Sequence, residues 1–302
     1  MLPFARVTII GIGLIGSSIA RAVRAQMPTV RLTGYDADAE VRAIADQLQL
    51  FDDVTDTAGA SAIDADLVIL CVPVGAMGAV GAQIAADLPA DAVVSDVGSC
   101  KEDVVRALAE ALPGATVIPA HPVAGTEHSG PEAGFATLFH KRWCIVTPPE
   151  GADPVAIERV SEFWRRLGAE VETMEPGHHD RVLAITSHLP HLIAYTIVGT
   201  ASDMEEVTRS EVIKYSAGGF RDFTRIAASD PTMWRDVFLA NREAVLDMLQ
   251  RFSEDLSALQ RAIRWGKGDE LFDLFTRTRA IRRNIIEQGQ DDPAPDFGRT
   301  HD

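Results

Sequence analysis

Basic residues are scarce in this chain: 28 Lys and Arg stand against 44 Asp and Glu, for a formal net charge of -16. A surface of that sign repels nucleic acid and anionic membrane, so neither is an expected partner, and an anionic substrate must be held by a few local cations. Cysteine is scarcer still, with three in 302 residues. Cys71, Cys100 and Cys144 are odd in number, and Cys71 and Cys144 lie in apolar runs, which points to reduced, buried thiols and a cytoplasmic address. No long apolar run follows a basic segment at the amino terminus, so neither a signal peptide nor a membrane span is expected. No internal repeat is present. What the chain has in quantity is apolar residues, 46%, enough at this length for a core in each of two domains.

Val7 to Ile10 reads as a strand, and Gly11-Ile12-Gly13-Leu14-Ile15-Gly16 follows at once, opening an alanine-rich helix to about Gln26. This is GxGxxG between a strand and a helix, the setting in which it binds a dinucleotide. Gly11 allows the tight turn, Gly13 lets the backbone reach a pyrophosphate, Gly16 lets helix and sheet pack closely, and the helix amino end favours negative charge. A second strand, Arg31 to Tyr35, ends in Asp36 at about the interval the motif requires, placed to accept hydrogen bonds from a ribose diol. Asp36 and Asp38 would repel a 2'-phosphate, which favours NAD over NADP.

The alternation continues with a helix at Glu40 to Leu50, a buried strand at Asp66 to Pro73, a helix at Ala76 to Leu88 and a strand at Ala92 to Val97. Such alternation gives a Rossmann-like, doubly wound parallel sheet of the α/β class. Ligands sit outside the carboxyl ends of its strands. Cys71, Val72 and Pro73 fall at one such end and Asp96 to Lys101 at another, so Ser99 and Lys101 are expected to face cofactor and substrate; Lys101 reads equally as a solvated residue at a helix start.

Val117 to Phe139 is the densest candidate site, a short apolar strand running into a loop of His, Pro, Gly, Glu and Ser. His121 and His128 titrate near neutral pH, and Gly125, Gly130 and Gly134 permit close backbone approach. Strands at Trp143 to Thr147 and Glu170 to Met174 bracket a helix at Val155 to Leu167. From about Glu175 the chain reads as helices, broken at Gly218-Gly219 and Asp230-Pro231, with a tail after Gln290 expected to be disordered. The implied domains are 1–174, nucleotide-binding, and 175–290, helical, with 291–302 as tail. In the helical part His188 and His191 share a helix face, and His179 precedes them, so a metal site competes with satisfied core histidines. Arg221 and Arg225 suit an anion clamp or, alternatively, a solvent-facing turn.

Four segments together, Asp96-Val-Gly-Ser-Cys-Lys101, His121-Pro-Val-Ala-Gly-Thr-Glu127, Ser187-His-Leu-Pro-His191 and Phe220-Arg-Asp-Phe-Thr-Arg225-Ile-Ala, resemble the prephenate/arogenate (cyclohexadienyl) dehydrogenase family of tyrosine biosynthesis, from the first strand to about residue 285. The resemblance implies an all-α carboxyl-terminal dimerisation domain, a homodimer, NAD as cofactor and no metal. It implies His121 as the catalytic residue and Ser99 as its assistant at the same hydroxyl. Arg225, His191, Thr126 and Gly218 would line the substrate pocket, with Glu127 and Arg221 as an ion-pair gate at its mouth. Arg221 stands where the family often has Lys. Trp234 matches a position that reaches the site from a partner subunit. No appended chorismate mutase segment is expected. The competing readings are a β-hydroxyacid-dehydrogenase-like oxidoreductase, against which no Lys motif is found around Lys214, and a non-catalytic NAD-sensing dimer.

Overall fold

The computed structural model describes residues 2–126, 128–203 and 218–287. Glu127, Lys214 and the 291–302 tail lie outside the described residues. The chain divides into two compact units, Met1–Arg242 and Glu243–Asp302.

The first unit opens with β1 (Arg6–Ile10), α1 (Leu14–Gln26) and β2 (Arg31–Tyr35), followed by α2 (Ala39–Gln47) and β3 (Asp53–Val54). Then come α3 (Ala58–Ala62), β4 (Leu67–Leu70), α4 (Met77–Ile84), β5 (Val93–Asp96), α5 (Glu102–Ala111) and β6 (Thr116–Val117). These six strands form one parallel sheet in the order β3-β2-β1-β4-β5-β6, the doubly wound order whose switch point lies between β1 and β4. Side chains alternate across it as the two-residue strand period requires. Val7, Ile9, Leu67 and Ile69 enter one core with α1 and the aromatic pair Phe163 and Trp164. Ile10, Val68, Leu70 and Val94 enter the other, with Met77, Val104 and Leu108. Each such fully buried side chain contributes roughly 1.5–3 kcal/mol through apolar burial.

One boundary shifts, and the later strands take a place of their own. The α2 helix ends at Gln47 rather than Leu50 because Gln49 takes a left-handed φ of 52°. The later strands do not extend the large sheet: β7 (Ala120–Pro122), β8 (Trp143–Val146) and β9 (Glu170–Thr173) form a separate sheet, β7 antiparallel to β8 and β8 parallel to β9. The chain leaves the first sheet at Val117, and four residues later His121 pairs with Ile145 in the second.

Helix starts follow one local rule. In α6 (Pro154–Arg166), α7 (Pro176–Leu183) and α10 (Pro231–Ala240) an acidic residue caps the amino end and Pro occupies the first turn, where its missing N–H costs nothing. A five-residue π turn, Ala184–His188, joins α7 to α8 (Leu189–Asp203). The run Pro176–Asp203 is long and apolar enough to cross a membrane by length and composition alone, but its His179, Asp180 and His188 are tied by hydrogen bonds into the body of the first unit. Helix α9 (Gly218–Thr224) precedes α10, and α10 sends Trp234 and Val237 back onto the core cluster that holds Ile10 and Val94.

In the second unit the described elements are α11, starting at the boundary (Arg242–Arg264), and α12 (Gly268–Glu287). Leu246, Leu256 and Ile263 on the first, Phe272, Phe275 and Ile281 on the second, and Trp265 between them are exposed.

Candidate active site

The glycine loop has the geometry its spacing predicts. Gly11 sits at φ +95°, and a Cβ there would lie 2.4 Å from the Cys71 carbonyl oxygen. A Cβ on Gly16 would meet the Gly11 carbonyl at 2.0 Å, whereas one on Gly13 would meet nothing within 4 Å. So Gly11 and Gly16 are bound to the fold, and Gly13 opens onto space. No side chain caps α1 and its first turn carries no acid, which leaves its positive end facing outward beside Leu14 and Ile15. Asp36 ends β2 and accepts from the Ile12 amide at 2.7 Å through one oxygen and from the Asp38 amide at 3.0 Å through the other. The loop and the acid are therefore one structure. Val72 and Pro73 follow β4 at the same sheet edge.

Of the thiols, Cys100 and Cys144 are buried and Cys71 is half-buried; all three are free. Lys101 corrects an expectation. Its side chain is 0% exposed, and its ammonium donates to Asp96 at 2.6 Å and to the Ala120 carbonyl at 2.8 Å. A group so enclosed is neither solvated nor able to touch a cofactor. It ties the end of β5 to the residue before His121. Ser99, two residues earlier, remains partly accessible in the turn between β5 and α5.

His121 is 8% exposed and its Nδ1 lies 2.9 Å from Nε2 of His179. The two rings meet edge to face, centroids 5.1 Å apart. Nδ1 of His179 is 2.8 Å from Oδ1 of Asp180, and Asp180 accepts from the backbone amides of Lys101 at 2.8 Å and Glu102 at 3.0 Å, at the start of α5. Burial holds His121 well below the ordinary histidine range, with the neighbouring His179 and Lys101 adding to it. Burial also lowers His179, against the opposing pull of Asp180. Burial alone would raise Asp180, but His179 and the two amides outweigh it and hold the carboxyl below its usual range.

The SHLPH segment contributes two imidazoles to one face, as its spacing predicts. His188 is buried, faces Asn241 Nδ2 at 3.1 Å through Nδ1, and is pushed by burial down to about 4. His191 donates to the Ser187 carbonyl at 2.8 Å and stacks on Trp234 at 3.6 Å between centroids. The resemblance places Trp234 in a partner's site; here it stacks on His191 of its own chain. Because His179, His188 and His191 point to three different partners, they do not converge, and among the described residues no group of three or more His, Cys, Asp or Glu is arranged to hold a metal.

The loop after His121 is seated on the nucleotide helix. A Cβ on Gly134 would lie 2.2 Å from the Ser17 hydroxyl, and the Phe135 amide donates to Ser18 at 3.1 Å. Thr126 is half-buried and accepts from the His128 amide at 3.3 Å. Arg225 opens a 3-10 turn, Arg225–Ala228; it and Arg221 are exposed, while Gly218 is half-buried at the start of α9. His191 is lowered chiefly by burial and also by the charge of Arg225, which brings that cation into the same neighbourhood. A surface cavity of about 710 Å³ lined by Glu102, Arg106, Glu150, Thr173 and Glu175 includes none of the predicted site residues.

Sequence reasoning missed the His179–Asp180 pair as support for His121, and missed Asn241. The adjacency His178-His179-Asp180 before an apolar helix was the available signal; nothing in the sequence marked Asn241.

A parallel sheet of this order, with a glycine cradle at its switch point and a buried imidazole on the neighbouring strand β7, has the architecture of a dinucleotide-binding protein. Profiles described as "Prephenate dehydrogenase, nucleotide-binding domain" and "Prephenate dehydrogenase, dimerization domain" match residues 19–173 and 175–277. The chain is 45% identical to a cyclohexadienyl dehydrogenase of Zymomonas mobilis, over 93% of this chain and 96% of that protein, and 31% identical to a Bacillus subtilis prephenate dehydrogenase, over 91% and 74%. The crystal structure of prephenate dehydrogenase from A. aeolicus in complex with hydroxyphenyl propionate and NAD+ superposes with a TM-score of 0.87 at 34% identity, covering 94% of this chain and 98% of that one. The chain belongs to the prephenate dehydrogenase family.

Proposed function

We propose that the protein is an NAD-dependent cyclohexadienyl dehydrogenase that oxidatively decarboxylates prephenate to 4-hydroxyphenylpyruvate, arogenate to tyrosine, or both, in tyrosine biosynthesis. The observation that carries the reading is His121, an imidazole kept neutral by burial on strand β7, just before a loop packed against the dinucleotide helix. Residues 1–174 form the nucleotide domain and 175–290 the helical domain, which pairs two copies as a cytoplasmic homodimer. The exposed apolar residues on α11 and α12 support pairing, since large apolar side chains left in water in such number favour an interface.

The cradle fits NAD. Gly13 would leave room for a pyrophosphate, the uncapped α1 terminus would offer it amides, and Asp36, held at the loop by the Ile12 amide, would accept from the ribose. When bound there, the cofactor supplies a hydride acceptor. In the substrate, loss of hydride from the hydroxyl-bearing ring carbon and of carbon dioxide from the opposite carbon creates an aromatic ring. The protein's part is to orient the ring and take the hydroxyl proton. His121 is neutral at working pH and accepts that proton, while Ser99, partly accessible at the neighbouring turn, orients the hydroxyl. Arg225 forms a bidentate pair with a substrate carboxylate, which a Lys could not reproduce. His191, held flat against Trp234, forms the pocket wall with Thr126 and Gly218, and Arg221 stands at its mouth.

The test is direct. The protein is mixed with NAD+ and either prephenate or arogenate, and NADH absorbance is followed. Growth of the NADH band with one or both is the expected result, and none with either overturns the reading.

A further inference from the structure

We propose that His179 and Asp180 are positioning residues that fix which nitrogen of His121 carries its proton, leaving Nε2 of His121 as the proton acceptor. The inference rests on the dehydrogenase reading for the identity of the base, and on geometry for everything else.

Three polar groups lie in line, and only one arrangement of protons satisfies them all. Asp180 is anchored at the amino end of α5, where two backbone amides donate to it and the helix dipole favours its charge. An ionised carboxylate only accepts, so Nδ1 of His179, at 2.8 Å, carries a proton and donates it. Neutral His179 then has no proton on Nε2, so that nitrogen accepts. Its partner at 2.9 Å is Nδ1 of His121, which therefore donates. Neutral His121 is left with a bare Nε2 at the opposite side of the ring.

The reverse arrangement fails at each end. For His121 to accept at Nδ1, His179 must donate from Nε2 while still facing Asp180 through Nδ1. That requires either a charged His179 or a protonated Asp180. His179 is completely buried and its charged form is disfavoured; Asp180 is held ionised by three donors. The chain also prepares for the product of proton transfer. When the substrate O–H bond breaks and an N–H bond forms at Nε2, the imidazolium still donates from Nδ1 to His179, and the Asp180 carboxylate one ring away offsets its charge. No ligand is needed to set this up, because every member is held by protein atoms.

Histidine-labelled protein, free of substrate, reports the tautomer through its 15N shifts and two-bond couplings. The expected result is His121 protonated at Nδ1 and bare at Nε2. His121 protonated at Nε2 overturns the proposal, and this measurement needs no variant and no activity. Two variants add a kinetic arm with prephenate and NAD+. His179→Leu is expected to lower kcat by roughly 10²- to 10⁴-fold, the cost of losing an oriented base, with NAD+ affinity unchanged. His179→Gln offers an oxygen to His121 and an amide to Asp180 and is expected to restore most of that loss. A Gln variant as impaired as Leu, or a Leu variant with wild-type kcat, overturns the assignment. Absence of turnover in the wild-type protein instead strikes the dehydrogenase reading and leaves the tautomer measurement standing.

Discussion

The candidate site has two sides built on opposite plans. On one, His121, His179, Asp180, His188 and Lys101 are buried and bonded to one another, to backbone, or to the side chains of Asp96 and Asn241. On the other, Arg221 and Arg225 are exposed and Thr126 and Gly218 are half-buried, carried on a turn, a short helix and a loop. The first side is finished before any ligand arrives. Under the proposed function, the second is where an anionic ring compound enters and is gripped. Chemistry that depends on proton placement is assigned to the rigid side, where a small misplacement is costly, and recognition to the accessible one.

That contrast can be broken by substitution. His121→Asn is expected to lower kcat by about 10²- to 10⁴-fold while NAD+ binding, measured by titration calorimetry, is retained; a near wild-type kcat would remove the rigid side from the chemistry. Lys101→Met touches no ligand, yet it leaves Asp96 buried without its cation, and a stability loss of about 3–5 kcal/mol is expected by urea unfolding. Little change would mean that the ion pair is dispensable.

Acid sharpens the contrast further. Below pH 6.5 the unfolded chain takes up a proton at His188, while the folded chain resists until about pH 4. Stability is therefore present above 6.5 and is lost as pH falls across that window, by on the order of 3 kcal/mol from this group. His121 and His179, also lowered, act in the same direction. His188→Gln should flatten the fall in urea midpoint between pH 6.5 and 4. On the open side the smallest effect is expected: Arg225→Gln raises KM for prephenate about 10- to 100-fold through a lost charge-assisted pair, with KM for NAD+ unchanged. Equal changes in both constants would detach Arg225 from the substrate.

The legible parts are those governed by local rules. The glycine spacing, the acid at the end of β2 and the apolar alternation of β1 and β4 each report a backbone requirement that neighbouring residues impose. The two imidazoles of SHLPH were legible for the same reason, since helical spacing alone puts them on one face. Lys101 was misplaced because a lysine at a helix start is ordinarily solvated; only the approach of Ala120 from a second sheet encloses it. The support of His121 by His179 spans 58 positions in sequence, and no local pattern encodes a contact of that range. The separate second sheet was missed because strand propensity says nothing of which strand is the neighbour.

The doubly bonded ammonium of Lys101 carries one more implication. With no water around it, dissolved ions cannot screen the attraction that moors the strand bearing His121. The exposed guanidiniums enjoy no such shelter. Raising ionic strength should loosen the hold on an incoming dianion while the proton acceptor stays where it is, so a brine-adapted relative would have to change its doorway and could leave its hearth alone.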